Sequence, residues 1–219
     1  MLDGLFQEVK RKTTRTAIIF FIISAISFAL LLLLIFSDLD NGDGVGYFVF
    51  VVAFLICGVL GVFYKFAFPN RAKKQIESYC AKTPNPDATR QLLAQTWNFG
   101  ADFKIGRVDK NYIIALINGN VKILTLQDAI NVSRTRVMII IIPFSALFHV
   151  RDRGGEMQSL SVSLFHYDYL DLIQGYVFEN CPHIYIGFDI DIAKLINDKN
   201  WPALQELAYA QRREAGLRF

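Results

Sequence analysis

Three histidines are the residues whose chemistry is considered first. His149, His166 and His183 recur at intervals of 17 residues. Zinc sites combine histidine and cysteine ligands at short, characteristic spacings, and no cysteine stands at such a spacing from any of these histidines. The pattern therefore favours ordinary sheet or surface histidines, and no metal site is predicted.

Two aspartate pairs, Asp168 with Asp171 and Asp189 with Asp191, have the residue types of a general acid and base. Each pair stands where a helix is predicted to begin, and a negative charge there interacts favourably with the helix dipole. Capping is the preferred interpretation. The sequence also lacks a GxSxG elbow, a phosphate loop and a dinucleotide fingerprint. We therefore predict neither an enzymatic activity nor a cofactor.

Basic residues supply the candidate binding chemistry. Seven of them are candidate contacts for a lipid headgroup or phosphate: Arg71, Lys73, Lys74, Arg134, Arg136, Arg151 and Arg153. Two alternatives stay open, because the first three also act as topology determinants and the last four also suit a solvated rim of loops. Residues 71–219 carry 18 Lys+Arg against 15 Asp+Glu. That excess is too small to predict a nucleic-acid partner.

Two apolar stretches near the N-terminus are predicted to anchor the chain in a membrane and so to place these basic residues near a lipid surface. Residues 17–36 and 47–68 are predicted transmembrane helices, since each is long enough to cross a hydrocarbon core of roughly 30 Å. A cleaved signal peptide is the alternative for the first. Its apolar run exceeds the usual length of about 7 to 15 residues, and a second apolar stretch follows at once. A helical hairpin is therefore predicted.

The orientation of this hairpin follows from its flanking charges. Basic residues precede residue 17 and follow residue 64, whereas the loop 37–46 carries only acidic charges, at Asp38, Asp40 and Asp43. Because lysine and arginine are retained on the cytoplasmic side, the loop is predicted outside and both chain ends inside. The prediction is a multi-pass protein of the cell (plasma) membrane.

Small residues recur at four-residue intervals within both apolar stretches. They are predicted to mediate close helix packing: Ala25, Ala29, Ala53, Cys57 and Gly61. The same faces suit a homo-oligomer. Neither apolar core carries an ionisable side chain other than cysteine and tyrosine before Lys65, which disfavours a proton or ion pathway.

The rest of the chain divides into three predicted parts. Residues 1–16 form an amphipathic, basic cytoplasmic segment that could lie on the inner leaflet. Residues 69–100 form a helical linker broken at the prolines near position 85. Residues 101–219 form an α+β domain.

The predicted domain is mainly an antiparallel sheet with C-terminal helices. Its clearest signal is a hairpin turning at Asn118-Gly119. Further strands are predicted at 103–108, 129–133, 137–142, 146–150 and 159–164. The third of these, VMIIII, is expected to be fully buried. Helices are predicted at 168–180, from Asp189 to Ile196 and from Pro202 to Gly216.

A resemblance to known proteins rests on the pattern of three segments: the strand PFSALFHVRDR, the alternating strand and helix that follow it, and the closing CPHIYIGF. Over residues 100–190 the chain resembles uncharacterised bacterial membrane proteins whose soluble part is similar to a pleckstrin-homology-like domain. The resemblance implies a curved antiparallel sheet closed by a helix, and a module that binds lipid or protein. The helices after Asp189 depart from its minimal form.

The expected function is that of a membrane-anchored, non-catalytic binding or scaffold module with a cytoplasmic pleckstrin-homology-like domain. Its expected partners are the lipid bilayer and a protein bound by that domain. The alternative is a subunit of a membrane transport or channel assembly that oligomerises through the helical hairpin. A membrane-bound enzyme ranks third.

Overall fold

The structure is a computed structural model that describes residues 2–36, 44–117, 119–139, 142–163 and 167–217. The chain forms two compact units. A helical unit comprises Leu2–Lys82 with Asn118–Asn120, and an α+β unit comprises Thr83–Ile117 and Val121–Phe219. Two long apolar helices followed by an α+β region with antiparallel sheet and C-terminal helices are thus confirmed.

The helical unit begins with α1 (Asp3–Phe36) and α2 (Gly44–Val62). Helix α1 is continuous, so no boundary separates the predicted amphipathic segment from the apolar one. The sequence explains this continuity, since neither glycine nor proline occurs between residues 5 and 36. An i,i+4 ion pair of Glu8 with Lys12, at 3.3 Å, adds a small local stabilisation.

The apolar face at the start of α1 is covered by protein. Leu5 and Val9 are buried, and α1 contacts α3 (Phe68–Ala81), whose buried residues are Ala72, Ile76 and Cys80. This corrects the expectation that the face lies on the inner leaflet. Helix packing satisfies the same amphipathic pattern that lipid would satisfy.

A π-helical segment, Phe63–Ala67, joins α2 to α3 without a break. Pro69 follows it directly and has no N–H to donate, while its ring would clash with the carbonyl oxygen four residues earlier in a regular helix. The wider π turn, in which the Phe68 N–H bonds to the Phe63 carbonyl oxygen, relieves that clash. The helix therefore continues without a break across the predicted boundary between residues 68 and 69.

The first sheet of the α+β unit has the order β1-β2-β3-β4. Its strands are β1 (Ala101–Asp102), β2 (Gly106–Val108), β3 (Tyr112–Ile117) and β4 (Asn120–Thr125). The predicted hairpin of β3 and β4 is confirmed, and Gly119 has the positive φ, 76°, that a tight turn requires.

The predicted strand 103–108 is interrupted. Lys104 has a φ of 69°, and its N–H donates to an Asp102 carboxylate oxygen at 2.6 Å. This local turn separates β1 from β2, which pair antiparallel with each other. Helix α4 (Pro86–Phe99) contacts β2 and β3, so the second half of the predicted linker lies in the α+β unit.

The second sheet has the order β7-β6-β5-β8. Its strands are β5 (Ala129–Ile139), β6 (Ile142–Asp152), β7 (Met157–Ser163) and β8 (Tyr185–Ile186). Strands β5, β6 and β7 pair antiparallel, and β8 pairs parallel with β5.

Two strand predictions change in this sheet. Residues 129–133 and 137–142 were expected as separate strands, but β5 runs through the first and into the second. Val137 is only half-buried, so the expectation of a fully buried run fails there, and the side chains from Met138 to Phe144 lie outside the described residues. The alternation in β7 buries Leu160 and Val162 as predicted, whereas Leu164 lies outside the described residues.

Helix α5 (Tyr167–Asn180) closes the core that the two sheets share. Its inner face consists of Leu170, Ile173 and Val177, which are fully buried against residues of both sheets. The spacing of apolar residues in this helix predicts Leu172 on the same face, but Leu172 is 49% exposed. The packed core thus consists of antiparallel strands and one helix.

Two further helices, α6 (Ile190–Asn197) and α7 (Trp201–Glu214), follow β8. Asp189 caps α6 as predicted, since its side chain accepts a hydrogen bond of 2.9 Å from the Ile192 N–H. Pro202 lies in the first turn of α7, where its missing N–H is not needed.

Arg212 of α7 is completely buried, with 0% of its surface exposed. Its guanidinium donates to three carbonyl oxygens, those of Phe178 (3.1 Å), Cys181 (3.2 Å) and Ala208 (2.9 Å), and stacks 4.7 Å from the Phe178 ring centroid. Two of those carbonyls belong to the end of α5 and the residue after it. A cation is favourable there because the carbonyl groups at a helix C-terminus carry partial negative charge.

We predict that Arg212→Ala lowers the free energy of unfolding of the α+β unit by about 3 kcal/mol, because buried carbonyls lose their donors and a cavity forms. The matched control is Arg213→Ala, which removes the exposed arginine beside it and should change stability by less than about 0.5 kcal/mol. Chemical denaturation of the full chain in detergent measures both. Equal losses in the two variants would contradict the role assigned to Arg212.

Candidate binding site

Arg134 and Arg136 lie on the same tyrosine. Their guanidinium carbons are 5.2 Å and 5.0 Å from the centroid of the Tyr167 ring, at the start of α5. Arg134 also forms an ion pair with Asp171, one turn further along α5. Two cations and one carboxylate therefore meet here, which leaves a net positive charge at this end of the helix.

Arg151 and Arg153 lie elsewhere. The guanidinium of Arg151 is 5.1 Å from the Phe188 ring centroid and contacts the Met157 sulfur at 3.7 Å. Arg153 lines a small cavity of about 10 Å³ with His183 and Trp201. Both arginines are thus engaged near the residues that follow β8.

Strand register explains why the four arginines separate. Directly paired residues of antiparallel strands share one face of the sheet. Arg134 pairs with the fully buried Phe148 and so lies on the core-facing side, beyond the edge of the core. Arg151 pairs with Asn131, three positions from Arg134 along β5, and therefore lies on the opposite side. The predicted single rim is two separate pairs.

An open groove of about 470 Å³ lies beside the first pair. Helix α5, strands β5 and β8 and helix α7 provide its lining: Arg134, Asp171, Gln174, Gly175, Phe178, Ile186 and Gln211. Its volume falls within the range of about 300 to 1,000 Å³ that ligand sites in proteins occupy. The groove combines an ion pair, two amides and two apolar side chains.

Side-chain amides hold β8 from both sides. The Asn131 amide donates to the Tyr185 and Gly187 carbonyl oxygens, at 3.3 Å and 2.6 Å. Gln211 accepts from the Ile186 N–H at 3.1 Å and donates to the Ile186 carbonyl oxygen at 2.8 Å. This role of Gln211 could not be predicted from the sequence, because it depends on a contact with a residue 25 positions away.

The other three basic candidates lie on the helical unit. Arg71, Lys73 and Lys74 are exposed on α3, and Lys73 is 3.9 Å from Glu77. Exposed side chains of this kind are available to lipid headgroups or water alike.

Helix α1 packs on α2 through polar and aromatic contacts as well as glycine. The Ser24 hydroxyl donates to the Phe54 carbonyl oxygen at 3.0 Å, and the Phe28 and Phe54 rings are 5.3 Å apart. A Cβ atom built on Gly61 would come within 2.8 Å of the Phe21 ring, so Gly61 permits the close approach.

The remaining small residues are placed differently. Ala53 and Cys57 of α2 are half-buried, whereas Ala25 and Ala29 of α1 are exposed. The two alanines therefore lie on a face of α1 that the hairpin leaves open. Serines in their neighbourhood, Ser24 and Ser27, are buried instead.

His149 and His183 are half-buried in the α+β unit, and His166 lies outside the described residues. A ring nitrogen of His149 is 2.7 Å from the Ser159 hydroxyl on the neighbouring strand. Burial, followed by the charge of Arg151, lowers the pKa of His149. Burial, followed by the charges of Arg153 and Arg212, lowers the pKa of His183.

Within the described ranges, no group of three or more histidine, cysteine or acidic residues could hold a metal ion. Cys80 and Cys181 are buried, and burial raises the pKa of the Cys181 thiol to about 11. A thiol with that pKa is almost entirely protonated at neutral pH and reacts slowly.

No protein-family model, curated protein or solved structure matches this chain. The function must therefore be inferred from the residues and geometry of the chain itself. In the part of the chain that the structure describes, the groove beside α5 brings charged, polar and apolar side chains together in one concave surface.

We predict that stability falls as the pH is lowered from about 7.5 to about 5.5. The folded forms of His149 and His183 bind protons less readily than the unfolded chain, whose histidine pKa is 6.5. Stability is therefore greatest above that value and is lost as the pH falls toward the depressed pKa values. Thermal unfolding of the double variant His149→Gln, His183→Gln should show a weaker pH dependence; an unchanged slope would contradict the assignment.

Proposed function

We propose that this chain is a membrane-anchored, non-catalytic binding module whose α+β unit is a pleckstrin-homology-like domain on the cytoplasmic side of the plasma membrane. The observation that carries the proposal is the apolar surface of α1 and α2. Ile19, Leu33 and Phe48 are 57%, 62% and 68% exposed, and they belong to helices long and apolar enough to cross a bilayer.

An exposed apolar surface of this extent favours transfer into lipid at roughly 25 cal/mol for each Å² removed from water. Soluble proteins rarely expose contiguous apolar patches larger than a few hundred Å². Basic residues flank the two apolar helices, and acidic residues occupy the sequence between them. That distribution supports an orientation with both chain ends inside.

The α+β unit supports the binding role. Its antiparallel strands are closed by α5, which agrees with the curved sheet and helix that a pleckstrin-homology-like domain implies. The unit also presents the groove lined by Arg134, Gly175 and Gln211. A tethered domain meets membrane-bound partners at a raised effective concentration, which suits a binding module.

An alternative is a subunit of a membrane transport or channel assembly. The observation in its favour is that Ala25 and Ala29, one helical turn apart, lie exposed on α1. Small residues at that spacing allow helices of two chains to approach closely. Blue-native electrophoresis of Ala25→Leu, Ala29→Leu against wild type distinguishes the two functions, since a loss of oligomer in the variant would favour the assembly.

We predict that Asn41→Cys is labelled by a membrane-impermeant maleimide in intact cells, while Lys82→Cys is labelled only after lysis. Residue 41 belongs to the predicted external loop, and Lys82 is exposed on the side predicted to be cytoplasmic. The native cysteines provide a low background, because Cys80 and Cys181 are buried and Cys57 lies within an apolar helix.

Wild type is the control, and alkaline carbonate extraction of all three proteins tests membrane integration. Release of the chain into the soluble fraction would overturn the anchoring. The reverse labelling pattern would overturn the orientation alone.

A further inference from the structure

We infer that the helical unit binds anionic phospholipids of the inner leaflet through a basic collar, formed by the lysines and arginines of residues 10–15 in α1 and 65–74 between α2 and α3. This inference rests on the proposed anchoring and orientation, and it names the lipid partner of the helical unit.

The collar carries charge of one sign. Residues 9–16 and 63–76 contain eight Lys+Arg and no Asp+Glu. Seven of the eight are exposed, and Lys12 is half-buried. The collar consists of Lys10, Arg11, Lys12, Arg15, Lys65, Arg71, Lys73 and Lys74. Its ion pairs with Glu8 and Glu77 are formed to acidic residues just beyond these ranges, at 3.3–3.9 Å, and exposed pairs of this kind contribute little.

Helix packing brings the two basic runs to one level, although they are far apart in the sequence. The rings of Phe20 and Tyr64 are 5.4 Å apart, and from this contact α1 runs backward and α3 runs forward in the same direction. At 1.5 Å per residue, Lys10 and Lys74 both lie roughly 15 Å beyond it. Ala17, where the apolar stretch begins, lies roughly 5 Å beyond it. The whole collar is therefore within roughly 10 Å of the apolar boundary.

The seam between α1 and α3 leaves the collar on the outside. The buried residues of α1 recur at four-residue intervals: Leu5, Val9, Thr13 and Ala17. Arg11 and Arg15 each stand two positions from these residues, which is about 200° around the helix. On α3, Lys74 stands in the same way between the buried Ala72 and Ile76. These three side chains therefore face away from the helix that packs against their own.

Aromatic residues mark the same boundary independently of the charges. The Tyr64 ring lies between those of Phe20 and Phe68, with centroids 5.4 Å and 4.5 Å away. Next to it, the Lys65 amine is 5.4 Å from the centroid of the exposed Phe66 ring. Aromatic rings are enriched where hydrocarbon meets water, and a lysine there extends its amine toward the headgroups.

An anionic phospholipid is the partner that this surface fits. The headgroup layer on each side of a bilayer is roughly 5 to 8 Å thick, and charges act over a Debye length of about 8 Å at physiological salt. Basic residues directly cytoplasmic of a transmembrane helix attract anionic lipids within that distance. The collar is continuous with the apolar helices, so it meets lipid phosphates rather than a free anion. Orientation alone requires only an imbalance of charge across the membrane, not the convergence of two runs in one layer.

The test uses the full chain in nanodiscs that contain equal amounts of phosphatidylglycerol and phosphatidylcholine. Spin-labelled forms of both lipids are the probes, and electron paramagnetic resonance measures how strongly each associates with the protein. Wild type should favour phosphatidylglycerol by at least about fivefold at low salt, and less at high salt. The quadruple variant Arg11→Gln, Arg15→Gln, Arg71→Gln, Lys74→Gln should lower this preference to about twofold or less.

Two matched variants separate the collar from net charge and from misfolding. Four exposed basic residues of the α+β unit are removed in Lys110→Gln, Lys122→Gln, Lys194→Gln, Arg213→Gln, which should keep the preference of wild type. The conservative variant Arg11→Lys, Arg15→Lys, Arg71→Lys retains every charge and should also keep it. The collar variant still has four lysines at the boundary, so its orientation is preserved, and cysteine labelling checks this.

Equal association of the two lipids with wild type, or an unchanged preference in the collar variant, would overturn the inference. An equal loss in the α+β control would overturn it as well, because net charge would then explain the effect. Carbonate extraction distinguishes this outcome from a failure of the proposed anchoring: a chain that stays in the membrane without lipid preference refutes the collar alone.

Discussion

A buried guanidinium organises the C-terminal third of the α+β unit. Arg212 reaches from α7 to the carbonyl oxygens of Phe178 and Cys181, where α5 ends and the chain turns toward β8. Burial lowers the pKa of this arginine, yet its hydrogen bonds to carbonyl groups keep a charged donor tolerable in the interior. Helix α5 closes the core, so the contact that fixes its end also fixes the groove wall and the start of β8.

In the same region, polar side chains stabilise a strand, β8, that is too short to be held by backbone pairing alone. Strand β8 has only two residues, and backbone pairing with β5 alone would give it few hydrogen bonds. Asn131 and Gln211 add side-chain amides on its two sides. A strand of two residues is therefore held by side chains of two other elements as well as by its backbone.

Turns, strand alternation and helix caps could be predicted from the sequence, because each depends on residues that are close together in the chain. The turn at Asn118-Gly119, the alternating burial of Leu160 and Val162, and the cap at Asp189 depend on residues close in sequence, and the described parts of each are confirmed. Asp87, a residue type that commonly caps helices, is the cap that composition indicates for α4, but the Asn85 side chain accepts the capping hydrogen bond from the Ala88 N–H. Either residue type serves as a cap, but Pro86 stands at the first helical position, which favours the residue before it, Asn85.

The candidate site could be predicted only in part, because its geometry depends on register and on distant contacts. Arg134 and Arg151 look equivalent in sequence, but the pairing of β5 with β6 sends them to opposite faces. Arg212 and Arg213 also look equivalent in sequence. Arg212 is buried because it contacts Phe178 of α5, which lies 34 residues earlier in the chain, whereas Arg213 is exposed. Hydrophobic periodicity identifies which face of a helix or strand is buried, but only the three-dimensional structure shows which element packs against that face.

The bonds of Gln211 restrict which residues position 211 can accept. Asparagine has the same amide but is one methylene shorter, so it would not reach Ile186 from the same helix position. Glutamate has the same length but would set a carboxylate oxygen against the Ile186 carbonyl, which needs a donor. Of the common side chains, glutamine alone supplies the donor, the acceptor and the reach, so variation at this one position should be far narrower than at its exposed neighbour Arg213.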